Sequence, residues 1–322
     1  MVILAADLGG TQSRLLLAEP AGGGWQTLRQ TSLPSQAYAS LSALLEDFLQ
    51  PGERPGSVCI AAAGPLRDGQ LQLTNLPWQL DAASIARQFG IARVRLLNDF
   101  AAQTYALPQL QPHQLCTLQA GNMQNNAVRA LIGAGTGLGM ALLAGDARQP
   151  IVLPSQGGHA DFAPCDQQQV ELLRFLLPSH GRVSLELLLS GRGLTRLYAF
   201  VGGTALTDPD LPDARAISQA AAAGQARAIE TLQLFARLFA AAAGNLALTC
   251  LPFGGLYLSG GIAPKMLTYL QHAEFLQAFC NKPPMQATLE SIPLHVVLDE
   301  YLGLHGALQV AARMQHAGFT QP

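Results

Sequence analysis

The sequence predicts an α/β fold, and three observations carry that expectation. Val94 to Leu107, VRLLNDFAAQTYAL, joins a buried strand at Val94, Leu96 and Leu97 to a helix over Phe100–Leu107 with an apolar stripe. Ahead of it, the apolar run SVCIAAAG within Arg54–Pro77 precedes a helix over Asp81–Phe89, with Asp81 as its N-cap and Gly90 as its stop. Strands followed by helices at this spacing build α/β domains. The chain of 322 residues is 49% hydrophobic and 12% charged, enough apolar material for one large domain or two ordinary ones.

Composition also excludes several classes. A formal net charge of -2 without a long basic run argues against a surface that neutralises nucleic-acid phosphates, so an anionic ligand has to be held locally. The five cysteines, Cys59, Cys116, Cys165, Cys250 and Cys280, form no CxxC pair and read as reduced core residues of a cytoplasmic protein. MVILAADLGG has no basic leader and runs straight into a strand, so secretion is not expected. Leu238 to Ala263 lacks charge, yet Asn245, Pro252 and paired glycines interrupt it. A buried helix followed by a buried strand explains it better than a membrane span.

Taken in order, VILAADLGGTQSRLLLAEP is two apolar runs joined at Gly9, Gly10 and Thr11. Paired glycines suit a tight hairpin, and they also strip a loop of side chains so that backbone amides can approach a phosphate. Asp7, just before the loop, is placed to face a magnesium ion or merely to end a strand. Ala61 to Gly64 permit a close backbone approach, and Asn75 and Trp78 in LQLTNLPW are weaker ligand candidates. Asn98 and Asp99 then fall at the carboxyl end of a strand, where open α/β sheets gather ligands; an N-cap needs the same residues.

Gln109 to Arg129 is polar and glutamine-rich, as a surface crossing between domains would be. In ALIGAGTGLGMALLAG, a dinucleotide fingerprint fails on register because Leu138 stands at the third glycine position, and no Lys-Ser or Lys-Thr pair makes a P-loop. Two glycine-threonine turns remain, GGT and GTG, more than a hundred residues apart and each flanked by apolar strands. Such a pair can hold a polyphosphate from two sides.

In PSQGGHADFAP, Gly157 and Gly158 turn the chain so that Gln156 and His159 can address one polar ligand, although a lone histidine also serves structure. Glu186 stands among apolar neighbours in VSLELLLSGRG, which reads as a helix stopped at Gly191 and Gly193; a solvated helix face accounts for it equally. Asp213 to Leu248 is alanine-rich helical scaffold with breaks expected at Gly224 and Gly244-Asn245. GLYLSGG is a strand ending in Gly260 and Gly261, and YLGLHGALQVAARMQHAG is a last amphipathic helix.

Together these motifs resemble the bacterial glucokinases, within the superfamily of sugar kinases, actin and the heat-shock ATPase chaperones. ADLGGT, LTNLPW, LLNDFAA, GAGTGLG, GGHADFAP, VSLELLLSG and LSGGIAP occur in the family's order and at similar spacing over essentially the whole chain. The resemblance implies an actin-like ATPase (ribonuclease H-like) sugar kinase fold. It implies a small α/β domain over 1–108 rejoined by a C-terminal helix over 303–322, a large α/β domain over 109–302, and a cleft between them. It further implies a cytoplasmic homodimer that uses ATP and Mg2+ to phosphorylate a hexose, above all glucose, at its 6-hydroxyl, the first step of glycolysis.

Carried over residue by residue, the resemblance makes Asp99 the catalytic base and gives Asn98, Asp99, His159 and Glu186 to the sugar. Gly9, Gly10 and Thr11 match the first phosphate loop, Gly135, Thr136 and Gly137 the second, Asp7 the aspartate near magnesium, and Gly260 and Gly261 the adenosine side. Two positions depart from the family: Gln12 follows Thr11 in place of asparagine, and Gln156 stands where the family has a sugar-binding glutamate. Two other readings, a sugar-responsive regulatory protein with lost turnover and an actin-like structural protein, are disfavoured respectively by Asp99 and by the retained sugar-side residues.

Overall fold

The computed structural model describes residues 1–22, 24–146 and 149–315. The chain divides into two compact units, Met1–Leu110 with the terminal segment that begins at Asp299, and Gln111–Leu298.

In the first unit, β1 (Ile3–Leu8) and β2 (Gln12–Ala21) form the hairpin expected around Gly9–Thr11, and β3 (Gly24–Pro34) extends it. No reading of the sequence anticipated β3, an edge strand with only intermittent, partial burial. α1 (Leu41–Phe48) follows, capped by Ser40, and buries Leu41, Leu44, Leu45 and Phe48. β4 (Ser57–Ala62) is buried throughout. The short strands β5 (Leu66–Arg67), β6 (Gln70–Gln72) and β7 (Gln79–Asp81) make a small separate sheet. α2 (Ala82–Phe89) starts at the Asp81 cap and ends at Gly90, whose φ of 62° is the left-handed conformation that glycine adopts without penalty. β8 (Arg93–Asn98) leads directly into α3 (Asp99–Ala106). The main sheet runs β3-β2-β1-β4-β8, with β1, β4 and β8 parallel.

The second unit has a six-stranded sheet, described in chain order. β9 (Leu115–Gln119) lies inside the expected surface crossing; instead it pairs along the sheet edge and packs Cys116 and Leu118 against the core. β10 (Arg129–Ala134), β11 (Leu138–Ala144) and β12 (Ile151–Ser155) form an antiparallel meander. α4 (Gln167–His180) and α5 (Leu185–Leu188) come next. Gly191 and Gly193 do not stop a helix; they begin α6 (Gly191–Val201), because the Ser190 side chain caps it by accepting from Gly193 N at 3.1 Å. After α7 (Ala214–Ala222), α8 (Ala226–Cys250) runs unbroken through Gly244-Asn245. A Cβ at Gly244 would stand 2.5 Å from the Phe279 carbonyl oxygen, so this glycine admits a neighbouring helix and does not end its own. α8 is long and apolar enough to cross a membrane, yet 67% of its most apolar stretch is buried in the fold. Burial of each large side chain there, Phe235 and Phe239 among them, contributes about 1.5–3 kcal/mol. β13 (Leu256–Ser259), α9 (Leu267–Leu270), α10 (Ala273–Cys280), α11 (Gln286–Glu290) and β14 (Leu294–Val297) complete the unit, with sheet order β12-β11-β10-β13-β14-β9.

The chain then returns to the first unit as α12 (Leu302–Arg313); residues 316–322 of the expected terminal segment lie outside the described residues. α12 packs on α3, β1 and β4, and the Ser57 hydroxyl donates to the Ala311 carbonyl at 2.7 Å. The five cysteines are unpaired; burial pushes the Cys59 thiol up to about 12, but Cys165 is exposed and so is not the core residue expected.

Candidate active site

β1, β4 and β8 end in register, with Leu8 beside Ala62 and Ala62 beside Asn98, which brings Asp7 and the Asn98-Asp99 pair to the ligand-gathering edge of the first sheet. Asn98 does cap α3: its Oδ1 accepts from Phe100 N at 3.0 Å, while Nδ2 donates to the Gly64 carbonyl at 3.4 Å. Asp99 is therefore fixed as the first residue of the helix. Burial raises its carboxyl above the usual aspartate range, against hydrogen bonds from the backbone at Phe100 and Asp99 and from the Asn98 side chain. Burial, then the Asp99 charge, push Asp7 up to about 6, with Arg14 opposing. Asp7 also lies against α12, where a Cβ at Gly303 would stand 2.6 Å from its Oδ2.

The first glycine turn is braced from behind. Gly9 N donates to the Gln12 carbonyl at 3.0 Å, Ser35 N to the Thr11 carbonyl at 3.0 Å, and the buried Ser35 hydroxyl to the Gly9 carbonyl at 2.6 Å. With the Gly9 and Thr11 carbonyls engaged, the turn leaves the N–H groups of Gly10 and Thr11 without a hydrogen bond among the described residues. Asn75 packs on this turn, its Cβ 2.7 Å from where a Gly10 Cβ would be. Trp78, by contrast, is a core residue with 4% exposure and no longer a ligand candidate.

A second cluster forms within the other unit. The turn between β10 and β11 holds Gly135, Thr136 and Gly137, closed by Gly135 N donating to the Gly137 carbonyl at 2.8 Å. Here too, the N–H groups of Thr136 and Gly137 have no partner among the described residues. Gly260 and Gly261 lie beside it: Ile262 N donates to the Ala134 carbonyl at 3.2 Å, and a Gly135 Cβ would be 4.0 Å from Gly261 N. A Cβ at Gly261 would meet nothing within 4 Å, which leaves open space beside the turn.

Gln156 begins a short 3-10 turn over Gly157–His159, its carbonyl accepting from His159 N at 2.9 Å and its side chain exposed. The His159 carbonyl in turn accepts from Arg182, and Leu185 N donates to the Ala160 carbonyl at 2.9 Å, tying this turn to α5. That tie carries Glu186 to His159, with Oε1 3.9 Å from Nδ1. The structure thus gathers Asp7, Gly9, Gly10, Thr11, Asn98 and Asp99 in one unit, and Gly135, Thr136, Gly137, His159, Glu186, Gly260 and Gly261, with the Gln156 backbone, in the other. Ser35 was missed by the sequence reading, since nothing near it in the chain points to a partner 26 residues away.

The glucokinase family profile matches residues 4–314. A glucokinase of Trichormus variabilis is 39% identical over 340 aligned positions, which cover 97% of this chain and 99% of that protein. The crystal structure of a glucokinase from an Antarctic psychrotroph has a TM-score of 0.87 and 33% identity, covering 97% of this chain and 98% of that one. The fold extends to a Balamuthia mandrillaris glucokinase solved with glucose, with a TM-score of 0.79 at 22% identity over 97% of this chain and 93% of that one. The architecture is the actin-like ATPase fold of the sugar kinases, and the chain belongs to the glucokinase family.

Proposed function

We propose that this protein transfers the γ-phosphoryl group of ATP to the 6-hydroxyl of glucose, with Asp99 as the base. The observation that carries this reading is the placement of Asp99, a half-buried carboxylate at a strand end with its proton affinity raised by burial. As the hydroxyl oxygen attacks phosphorus, its proton passes to Asp99, the new O–P bond forms, the bond from the γ-phosphorus to the bridging oxygen breaks, and ADP leaves. Asn98, His159 and Glu186 hold the other hydroxyls, joined by Gln156. The free amides of Gly10, Thr11, Thr136 and Gly137 donate to the phosphates, as such turns do for anions, and Gly260 and Gly261 lie on the adenosine side.

Asp7 fits a magnesium ion: it offers hard oxygen donors, and burial and then the neighbouring Asp99 charge, which together raise it, are both offset by a divalent cation. When bound, the ion neutralises charge that develops on the phosphates. The test is ADP release with magnesium and ATP across a panel of hexoses. Glucose-dependent release supports the kinase; sugar binding without release would favour a sugar-responsive binding protein.

A further inference from the structure

Glu186 faces two ways. Its Oε1 lies 3.9 Å from Nδ1 of His159, another expected sugar ligand on this unit. Its Oε2 accepts a hydrogen bond at 3.0 Å from the backbone N–H of Leu138, the residue that follows the Gly135–Gly137 turn. A Cβ at Gly137 would stand 2.5 Å from the same oxygen, so the turn lies directly on the carboxylate. The turn's other ties are the Gly135 N bond to its own Gly137 carbonyl and a bond from Gly191 N to the Gly135 carbonyl, both 2.8 Å. The end of the turn that joins β11 is thus held by a side chain, through a charge-assisted bond of the stronger kind.

We infer that Glu186 is a positioning residue for the nucleotide phosphates as well as a ligand of the sugar, and that it couples the two substrates. This rests on the assignment of Gly135–Gly137 as a phosphate turn made above. The carboxylate puts a negative charge beside a turn that receives anionic phosphates. A sugar hydroxyl that donates to Glu186 disperses that charge, so bound sugar tightens nucleotide binding. By linkage, bound nucleotide tightens sugar binding by the same factor.

Calorimetric titration of a non-hydrolysable ATP analogue with magnesium, with and without glucose, separates the parts of this scheme. Glucose is expected to tighten the analogue about fivefold or more in the wild type. Glu186→Ala strands the Leu138 N–H and loosens the turn, so its affinity for the analogue without sugar should drop about fivefold or more. Glu186→Gln keeps an acceptor oxygen for Leu138 and removes the charge, so it should bind the analogue at least as tightly as wild type and lose the tightening by glucose. His159→Ala should weaken glucose alone, and thermal melting checks that each variant is folded. Analogue binding by folded Glu186→Ala equal to wild type, or equal tightening by glucose in wild type and Glu186→Gln, would overturn the inference. Failure of the wild type itself to bind the analogue would instead overturn the phosphate-turn assignment beneath it.

Discussion

The Ser35 hydroxyl donates a 2.6 Å hydrogen bond to the Gly9 carbonyl. It also meets the Ser13 hydroxyl at 2.9 Å, and both serines are fully buried. This bond engages the Gly9 carbonyl in the turn whose Gly10 and Thr11 amides have no partner among the described residues. Ser35→Ala removes it without steric cost. A hydrogen bond of this kind is worth about 1 kcal/mol, so the KM for ATP should rise about fivefold while glucose affinity stays unchanged. Steady-state kinetics with both substrates varied will show this; an unchanged KM for ATP would mean that the turn supports itself.

Gln156 holds its turn through its backbone and leaves its side chain exposed, so exchanging that side chain should not disturb His159. An amide offers one acceptor oxygen where a carboxylate offers two and a charge. Gln156→Glu should therefore tighten glucose binding by about 1 to 3 kcal/mol, or roughly five- to a hundredfold, and leave the KM for ATP unchanged. Calorimetry on both proteins decides this, and equal affinities would mean that Gln156 does not touch the sugar.

Legibility from the sequence followed how local the determinant was. The Asp81 cap, the Gly90 stop and the β8–α3 junction are each set by neighbouring residues, and all three stand in the structure as read. Gly191, Gly193 and Gly244 were misread because a glycine breaks a helix or admits a neighbour depending on what packs beside it; for Gly244 that is Phe279, from a distant part of the chain. The same holds for β9, whose partner β14 lies far along the chain. Glycine turns announced themselves in sequence, whereas what holds them, Ser35 for one and Glu186 for the other, became visible only through hydrogen bonds across long separations.

Entry into α12 depends on Asp299. Its Oδ1 accepts from Tyr301 N at 2.9 Å and its Oδ2 lies 2.7 Å from His305 Nδ1. Burial pushes this carboxyl up, but the bonds to His305 and Tyr301 and the charges of His305 and Arg14 outweigh it, so the net position is below the usual range. A carboxyl with a lower pKa folded than unfolded stabilises the fold above its unfolded value, and the stabilisation fades as pH falls through the folded one. Asp299→Asn should cost about 1.5–3 kcal/mol at pH 7, with the gap to wild type closing below about pH 4. Urea denaturation of both proteins from pH 7 to pH 3 reads the gap, and one independent of pH would contradict this origin.

The most direct measurement is the turnover of Asp99→Asn beside its glucose affinity. The amide keeps the shape of the side chain and cannot accept the hydroxyl proton. If Asp99 is the base, kcat falls about a hundred- to ten-thousandfold while glucose binding stays within about tenfold of wild type. A variant that kept more than about a tenth of the wild-type kcat would show that the proton goes elsewhere.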